Sequence, residues 1–315
     1  MIAGEGGARG RKVVALGGGH GLYATLSALR LLTRNITAIV TVADDGGSSG
    51  RLRQEFDILP PGDLRMALSA LCDDGEWGLT WRDVLQYRFS SDGPLNGHSL
   101  GNLLITGVWD LLGDSVGGLD LVGRLLDTKG RVLPMAATPL RIEADVVDSV
   151  GEHTISGQVG VATCHADIKQ VRIIPANPPA VPQAIDAIND ADWVIFGPGS
   201  WFTSVIPHLL VPELYEALIS TRAKRALAIN LVPDAETRTL SPSDHVRSFH
   251  EHAPSLTLDS ILIDENSPAD WEDLQVAARE CGAEVLARPL ADRSDPAHHD
   301  ALFLASALRE MLSSR

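Results

Sequence analysis

The chain has 315 residues, 44% of them hydrophobic and 21% charged, with a formal net charge of −15. That length and balance specify a globular protein with a sizeable core. The negative field disfavours non-specific attraction to nucleic acid or to an anionic membrane, although a small anion can still be held locally. There is no signal-peptide core and no apolar run of about 18 residues, so a cytoplasmic protein without membrane insertion is expected.

Residues 1–11 carry Gly4, Gly6, Gly7 and Gly10 without apolar periodicity, which predicts a disordered tail ahead of a single domain over residues 12–315. Lys12–Leu16 and Ile36–Val42 read as buried strands, and Leu22, Leu26, Leu29 and Leu32 give the span between them helical spacing. This is a βαβ unit, whose right-handed crossover puts both strand ends on one sheet edge. Leu64–Leu71, Thr80–Gln86, Gly101–Leu112 and Leu119–Leu126 then read as helices without strands between them, a helical insertion near residues 60–130. Arg131–Pro134, Arg141–Val147 and Gln170–Ile174 read as strands, antiparallel at the sheet edge or in a small subdomain.

The later half returns to alternation. Strands are predicted at Asp192–Phe196, Arg225–Asn230, Ser260–Ile263 and Glu284–Ala287, and helices at Ser204–Leu210, Val211–Ser220, Ala269–Cys281 and from about Pro296. The sum is an α/β fold, a Rossmann-like, mostly parallel sheet with helices on both faces.

Two glycine-rich turns each follow a predicted strand and precede a helical stretch: Gly17-Gly18-Gly19-His20-Gly21 and Gly197-Pro198-Gly199-Ser200. Glycine lets the backbone turn sharply and approach a ligand, and a helix start offers unpaired N–H groups to phosphate. The first turn lacks the third glycine of the dinucleotide fingerprint, because Leu22 occupies a required position. Ser200, Thr203 and Ser204 add hydroxyl donors to the second, and Asn230 ends the next strand beside it. The plain alternative for both is a strand-to-helix turn without a ligand.

Ala43-Asp44-Asp45-Gly46-Gly47-Ser48-Ser49-Gly50-Arg51 follows the second strand. Asp44 and Asp45 stand near the spacing of a ribose-binding carboxylate, or could hold Mg²⁺ on a nucleotide diphosphate, with Asp45 the metal candidate. An Asp-Gly turn capping its own backbone is the alternative. Pro60-Pro61-Gly62-Asp63-Leu64-Arg65 enters a helix with Asp63 as N-cap and Arg65 facing the turn as a candidate ligand residue. Asn96–Asn102 suits a base or a sugar, or is a polar capping loop. His20 is a phosphate or base donor or simply solvated. Cys72, Cys164 and Cys281 are far apart and read as reduced structural thiols, while Cys164-His165, His208 and His298-His299 lack partners at metal-ligand spacing and read as structural or solvated.

Together, Leu16–Leu22, Asn35–Arg53, Leu59–Arg65, Gln86–Phe89, Gly97–Asn102 and Gly197–Ser200, in that order, resemble the YvcK-type gluconeogenesis factor family from about Lys12 to about Ile263. The resemblance implies a Rossmann-like fold shared with 2-phospholactate transferase. It also implies a cytoplasmic protein that binds UDP-sugars such as UDP-N-acetylglucosamine and is needed for normal growth and cell shape on gluconeogenic carbon sources. No established reaction or cofactor comes with it. Carried onto this chain, it makes Gly18, Gly19, Gly21, Gly197, Gly199 and Ser200 the diphosphate turns, and Asp44, Asp45, Asn102 and Asn230 sugar or nucleoside contacts. His20, Gly46, Gly47 and Arg65 complete the candidate set.

Two features depart from the family pattern: His20 stands where many relatives have threonine, and Leu231–Thr237 lacks their Gln-Pro-Gly-Glu-Thr. The leading expectation is a UDP-sugar-binding regulator that links carbon supply to cell-envelope synthesis proteins. The alternatives are a phospholactate transferase-type enzyme and an NAD-dependent dehydrogenase. Homo-oligomer formation is left open.

Overall fold

The computed structural model describes residues 10–313. Seven strands form one parallel sheet: β1 (Val13–Gly17), β2 (Ile36–Val40), β3 (Arg131–Pro134), β7 (Trp193–Phe196), β8 (Lys224–Ala228), β9 (Ser260–Asp264) and β10 (Glu284–Arg288), in the order β10-β9-β8-β7-β1-β2-β3. The chain builds outward from β1 to β3, returns, and builds the other way from β7. The order therefore reverses between β1 and β7, and that gap is where ligands bind in open α/β sheets. Val13 pairs with Trp193 and Leu16 with Phe196, so the two strands end level.

The central strands are apolar throughout because both faces are covered, as β1 and β7 show by being buried at every position. Helix α1 (Gly19–Leu29) packs with α3 (Pro61–Leu71) and α12 (Ala301–Ser313). On the β7–β10 half, α8 (Pro182–Asn189) packs with α9 (Pro212–Ser220), and α10 (Pro242–His252) with α11 (Trp271–Glu280). Among the insertion helices, α4 (Glu76–Gln86) and α5 (Leu100–Leu112) pack on α3, of which only Met66 is not buried, and α6 (Ser115–Leu126) packs on α5 and β3.

Of the three strands expected after the insertion, only β3 joins the main sheet. The others, β4 (Arg141–Asp148) and β6 (Asp167–Ile174), sandwich into a separate antiparallel sheet with β5 (Gly151–Ser156) in the order β5-β4-β6. β5 is almost wholly exposed, so the alternation that flags a half-buried strand is missing from it.

Other boundaries also move. Gly47–Phe56 is a helix, α2, in a stretch that reads as a motif turn, and Ser204–Leu210 is not α-helical: a π turn at Trp201–Val205 is followed by a 3₁₀ turn at Ile206–Leu210. Pro207 lacks the N–H that a continuing helix needs. Two residues of the expected tail are held by the fold: Asn35 Nδ2 donates to the Gly10 carbonyl (3.0 Å) and Thr33 Oγ1 to that of Arg11 (2.9 Å). The rest of it, residues 1–9, lies outside the described residues. Among the described residues no helix is long and apolar enough to cross a membrane.

Candidate functional site

The turns after β1 and β7 touch. A methyl group on Gly21 would lie 2.1 Å from the Pro198 carbonyl oxygen and 2.6 Å from Gly199 Cα, so only glycine permits this approach. Thr25 Oγ1, one turn into α1, donates to the Gly197 carbonyl (3.2 Å) and ties the helix to the second turn. Gly199 has φ +145°, a conformation that side chains disfavour. Asn230 holds it from both sides: the Gly199 N–H donates to Asn230 Oδ1 (2.8 Å), and Asn230 Nδ2 donates to the Gly199 carbonyl (2.9 Å). Both ends of this amide bond the turn, so Asn230 positions Gly199.

A cleft of about 320 Å³ opens over these turns. Gly18, Gly19, His20, Gly21, Gly199, Ser200 and Asn230 line it, as do Ser204 and Asp63. Its far wall contains Gln158 from α7 (Gln158–Ala162), Leu231, Val232 and Asp234 from the divergent loop, and His298 and His299 from the segment before α12.

Asp44, Gly46, Gly47, Arg65 and Asn102 line a separate, neighbouring cavity, and Asp63 is in the wall of both. The candidate set therefore divides in two. Asp44 Oδ1 accepts from the Gly46 N–H (2.9 Å), and burial pushes its carboxyl up against the opposing effect of Gly46 and Ser49. Asn102 Oδ1 accepts from Arg65 Nε (2.9 Å) and its Nδ2 donates to Ser48 Oγ (3.1 Å).

Asp45 reaches across to a later helix. Its Oδ2 accepts from the Gln158 N–H and its Oδ1 from the Val159 N–H, both at 3.0 Å, which caps α7 over the cleft. Asp63 departs from its expected capping role. Pro60 and Pro61 start α3 one turn early, so Asp63 is the third helical residue and not the N-cap. Its carboxyl turns toward α1 and accepts from the Gly19 N–H, and a methyl on Gly18 would come 2.6 Å from Asp63 Oδ2. That oxygen is buried and has no protein partner. Burial, with the charge of Asp44 adding, pushes Asp63 up to about 7. Among the described residues Asp63 Oδ2 is thus a carboxylate oxygen beside the turns that no protein group engages, whereas both oxygens of Asp45 accept main-chain N–H bonds. Among the described residues no group of three or more His, Cys, Asp or Glu is arranged to hold a metal by itself.

Three further residues carry no clear local signal. His299 is pushed down to about 4 by burial and its buried Nε2 has no partner. It is brought to the cleft by Asp264, whose Oδ2 accepts from the N–H groups of Leu290 and Ala291. Glu236 Oε1 accepts from the Phe202 N–H (2.9 Å), fastening the divergent loop to the second turn, and burial pushes this carboxyl up to about 8. Gln158 arrives through the Asp45 cap. His208 is structural: its Nε2 lies 3.0 Å from the Ile39 carbonyl, and burial pushes it down to about 4. Cys72, Cys164 and Cys281 are buried free thiols.

Strand order, switch-point cleft and paired turns define a Rossmann-like α/β protein. The family model for 2-phospho-L-lactate transferase CofD matches residues 13–301. A putative gluconeogenesis factor of Mycobacterium tuberculosis is 52% identical over 296 residues, covering 90% of this chain and 86% of the relative. The gluconeogenesis factor of Bacillus subtilis is 35% identical, over 96% and 98%. A crystal structure of a UPF0052 family member from Bacillus halodurans superposes with a TM-score of 0.84 at 32% identity, over 95% of this chain and 98% of that one. The chain belongs to the 2-phospho-L-lactate transferase CofD family, alongside the gluconeogenesis factors.

Proposed function

We propose that the protein is a cytoplasmic regulator that binds a UDP-sugar, with UDP-N-acetylglucosamine as the test ligand, and acts on growth and cell shape during gluconeogenic growth through cell-envelope synthesis proteins. The observation that carries this reading is the contact between the Gly18–Gly21 and Gly197–Ser200 turns at the strand-order reversal, with the start of α1 facing the shared cleft. Ligand at 100 times its dissociation constant should stabilise the fold by about 2.7 kcal/mol. Gly199→Asp, which puts a side chain and a negative charge at the turn, should abolish that response. Absence of any thermal shift or calorimetric heat with UDP-sugars would reject the reading.

A second reading, a phospholactate transferase-type reaction, is favoured by the near-complete match to the transferase family and by the unpartnered Asp63 oxygen beside the turns. Metal-dependent turnover of a phospholactyl-nucleotide that is lost in Asp63→Asn would establish it over the first.

A further inference from the structure

Helix α5 is apolar on every side. Between Leu100 and Leu112 its single charge is Asp110, and its two uncharged polar side chains, Asn102 and Thr106, turn inward and are 2% and 5% exposed. Its outward side carries Leu104, Val108 and Leu111 at successive helical turns, with Leu111 80% exposed. A helix apolar all round is ordinarily buried all round. Here α2, α3, α4 and α6 pack against α5 and still leave Leu111 open.

The apolar surface continues onto both neighbouring helices. On α6, Leu121 and Leu125 are exposed one turn apart, and Trp77 at the start of α4, 57% exposed, donates from Nε1 to the Leu125 carbonyl (3.1 Å). Three helices about 16–20 Å long and about 8–10 Å apart have a footprint of about 500 Å². The accessible area of a face covered in side chains exceeds its footprint, which brings it near the about 800 Å² per partner that a stable interface needs. A monomer rarely leaves so large an apolar patch in water.

The charges at its rim point to the occupant. A net charge of −15 opposes contact between copies over most of the surface, whereas this face is nearly uncharged. Asp110 and Arg124 border it, both exposed and neither in an ion pair among the described residues. Helices α5 and α6 form an αα-hairpin in which Gly118 packs on Val108 and Trp109, so Arg124, late in α6, lies toward the start of α5, while Asp110 lies near its end. Laying α5 antiparallel on the same helix of a second copy therefore brings Asp110 to Arg124 of the partner subunit, and does so twice about the two-fold axis. We propose that the outer face of α4, α5 and α6 is the interface of a two-fold dimer of this chain, built on α5 packed against α5. The proposal does not depend on what the glycine cleft binds.

Sedimentation velocity of the full chain, from nanomolar to high micromolar concentration, reads the association. A species of twice the chain mass is expected at micromolar concentration. Leu111→Glu changes a side chain that is open in the single chain, so the circular dichroism spectrum should be unchanged while dimer affinity falls at least about 100-fold. Arg124→Glu sets like charges together at both copies of the rim contact and should weaken the dimer about tenfold. Adding Asp110→Arg to the same chain reverses both signs and should restore association. A chain that stays monomeric throughout the range overturns the proposal, even where the face captures a different protein. So does a dimer whose affinity is unchanged by Leu111→Glu, or a charge-swapped double variant that associates no better than Arg124→Glu alone.

Discussion

Asp63→Asn should make the ligand-free protein's stability less sensitive to pH. The carboxyl ordinarily titrates at 3.8 and is pushed up to about 7 in the fold, by burial first and by Asp44 second. Between those values the native state binds more protons than the unfolded chain, so this group's contribution declines as pH rises, and the whole penalty is in place above the folded value. At about 1.36 kcal/mol per unit the full span is about 4 kcal/mol, of which about 2–3 kcal/mol develops between pH 5 and pH 8. The amide removes this titration. It also places an NH₂ where Oδ2 has no partner, but that cost is the same at every pH. Denaturant unfolding of both proteins at the two pH values should therefore show Asp63→Asn gaining about 2–3 kcal/mol relative to the parent on going from pH 5 to pH 8. Parallel stability curves for the two proteins would refute the buried, proton-holding Asp63.

Four more outcomes follow from the structure. In metal-free buffer near neutral pH, UDP-N-acetylglucosamine should bind with net proton uptake, because a diphosphate beside Asp63 raises it further; calorimetry in buffers of different ionisation enthalpy reads this, and Asp63→Asn should remove it. Asn230→Ala loses both bonds to Gly199 and should cost about 1–3 kcal/mol together with ligand affinity, whereas unchanged stability in urea would contradict the clamp. Gly21→Ala drives a methyl into backbone on the facing turn and should cost more than about 3 kcal/mol or prevent folding. Gly107→Ala, at an exposed helical position with open space around it, should stabilise by roughly 0.5–1 kcal/mol in the same assay.

Much of the sheet was legible from the chain because its strands are short apolar runs and the central ones, β1 and β7, are buried on both faces; Arg131–Pro134 emerges as read, and the others shift by only a residue or two. β5 and α7 were not legible. The strand is nearly all exposed, and the five-residue helix depends on a cap from Asp45, over a hundred residues earlier. Asp63 shows a different kind of miss, since the Pro-Pro pair was itself the signal that the helix begins at Pro61 and leaves the aspartate inside it.

His298, which bonds Asp295 three residues before it, and His299 reach the cleft because the chain returns after β10 to pack α12 on α1. The glycines at 17–21 and 197–199 were visible as turns, since backbone conformation is a local property. Their contact was decided by the reversal of strand order, which sets β1 beside β7 across some 180 residues of intervening chain. Sequence by itself determined the layers of the fold and the family. Only the tertiary structure decided how the polar groups are partnered: among the described residues Asn230, Asn102 and Asp45 bond distant parts of the protein, while Asp63 Oδ2 has no protein partner. That difference comes from long-range packing, because a side chain's hydrogen-bonding capacity is a property of its residue type whereas its satisfaction depends on which distant elements fold against it.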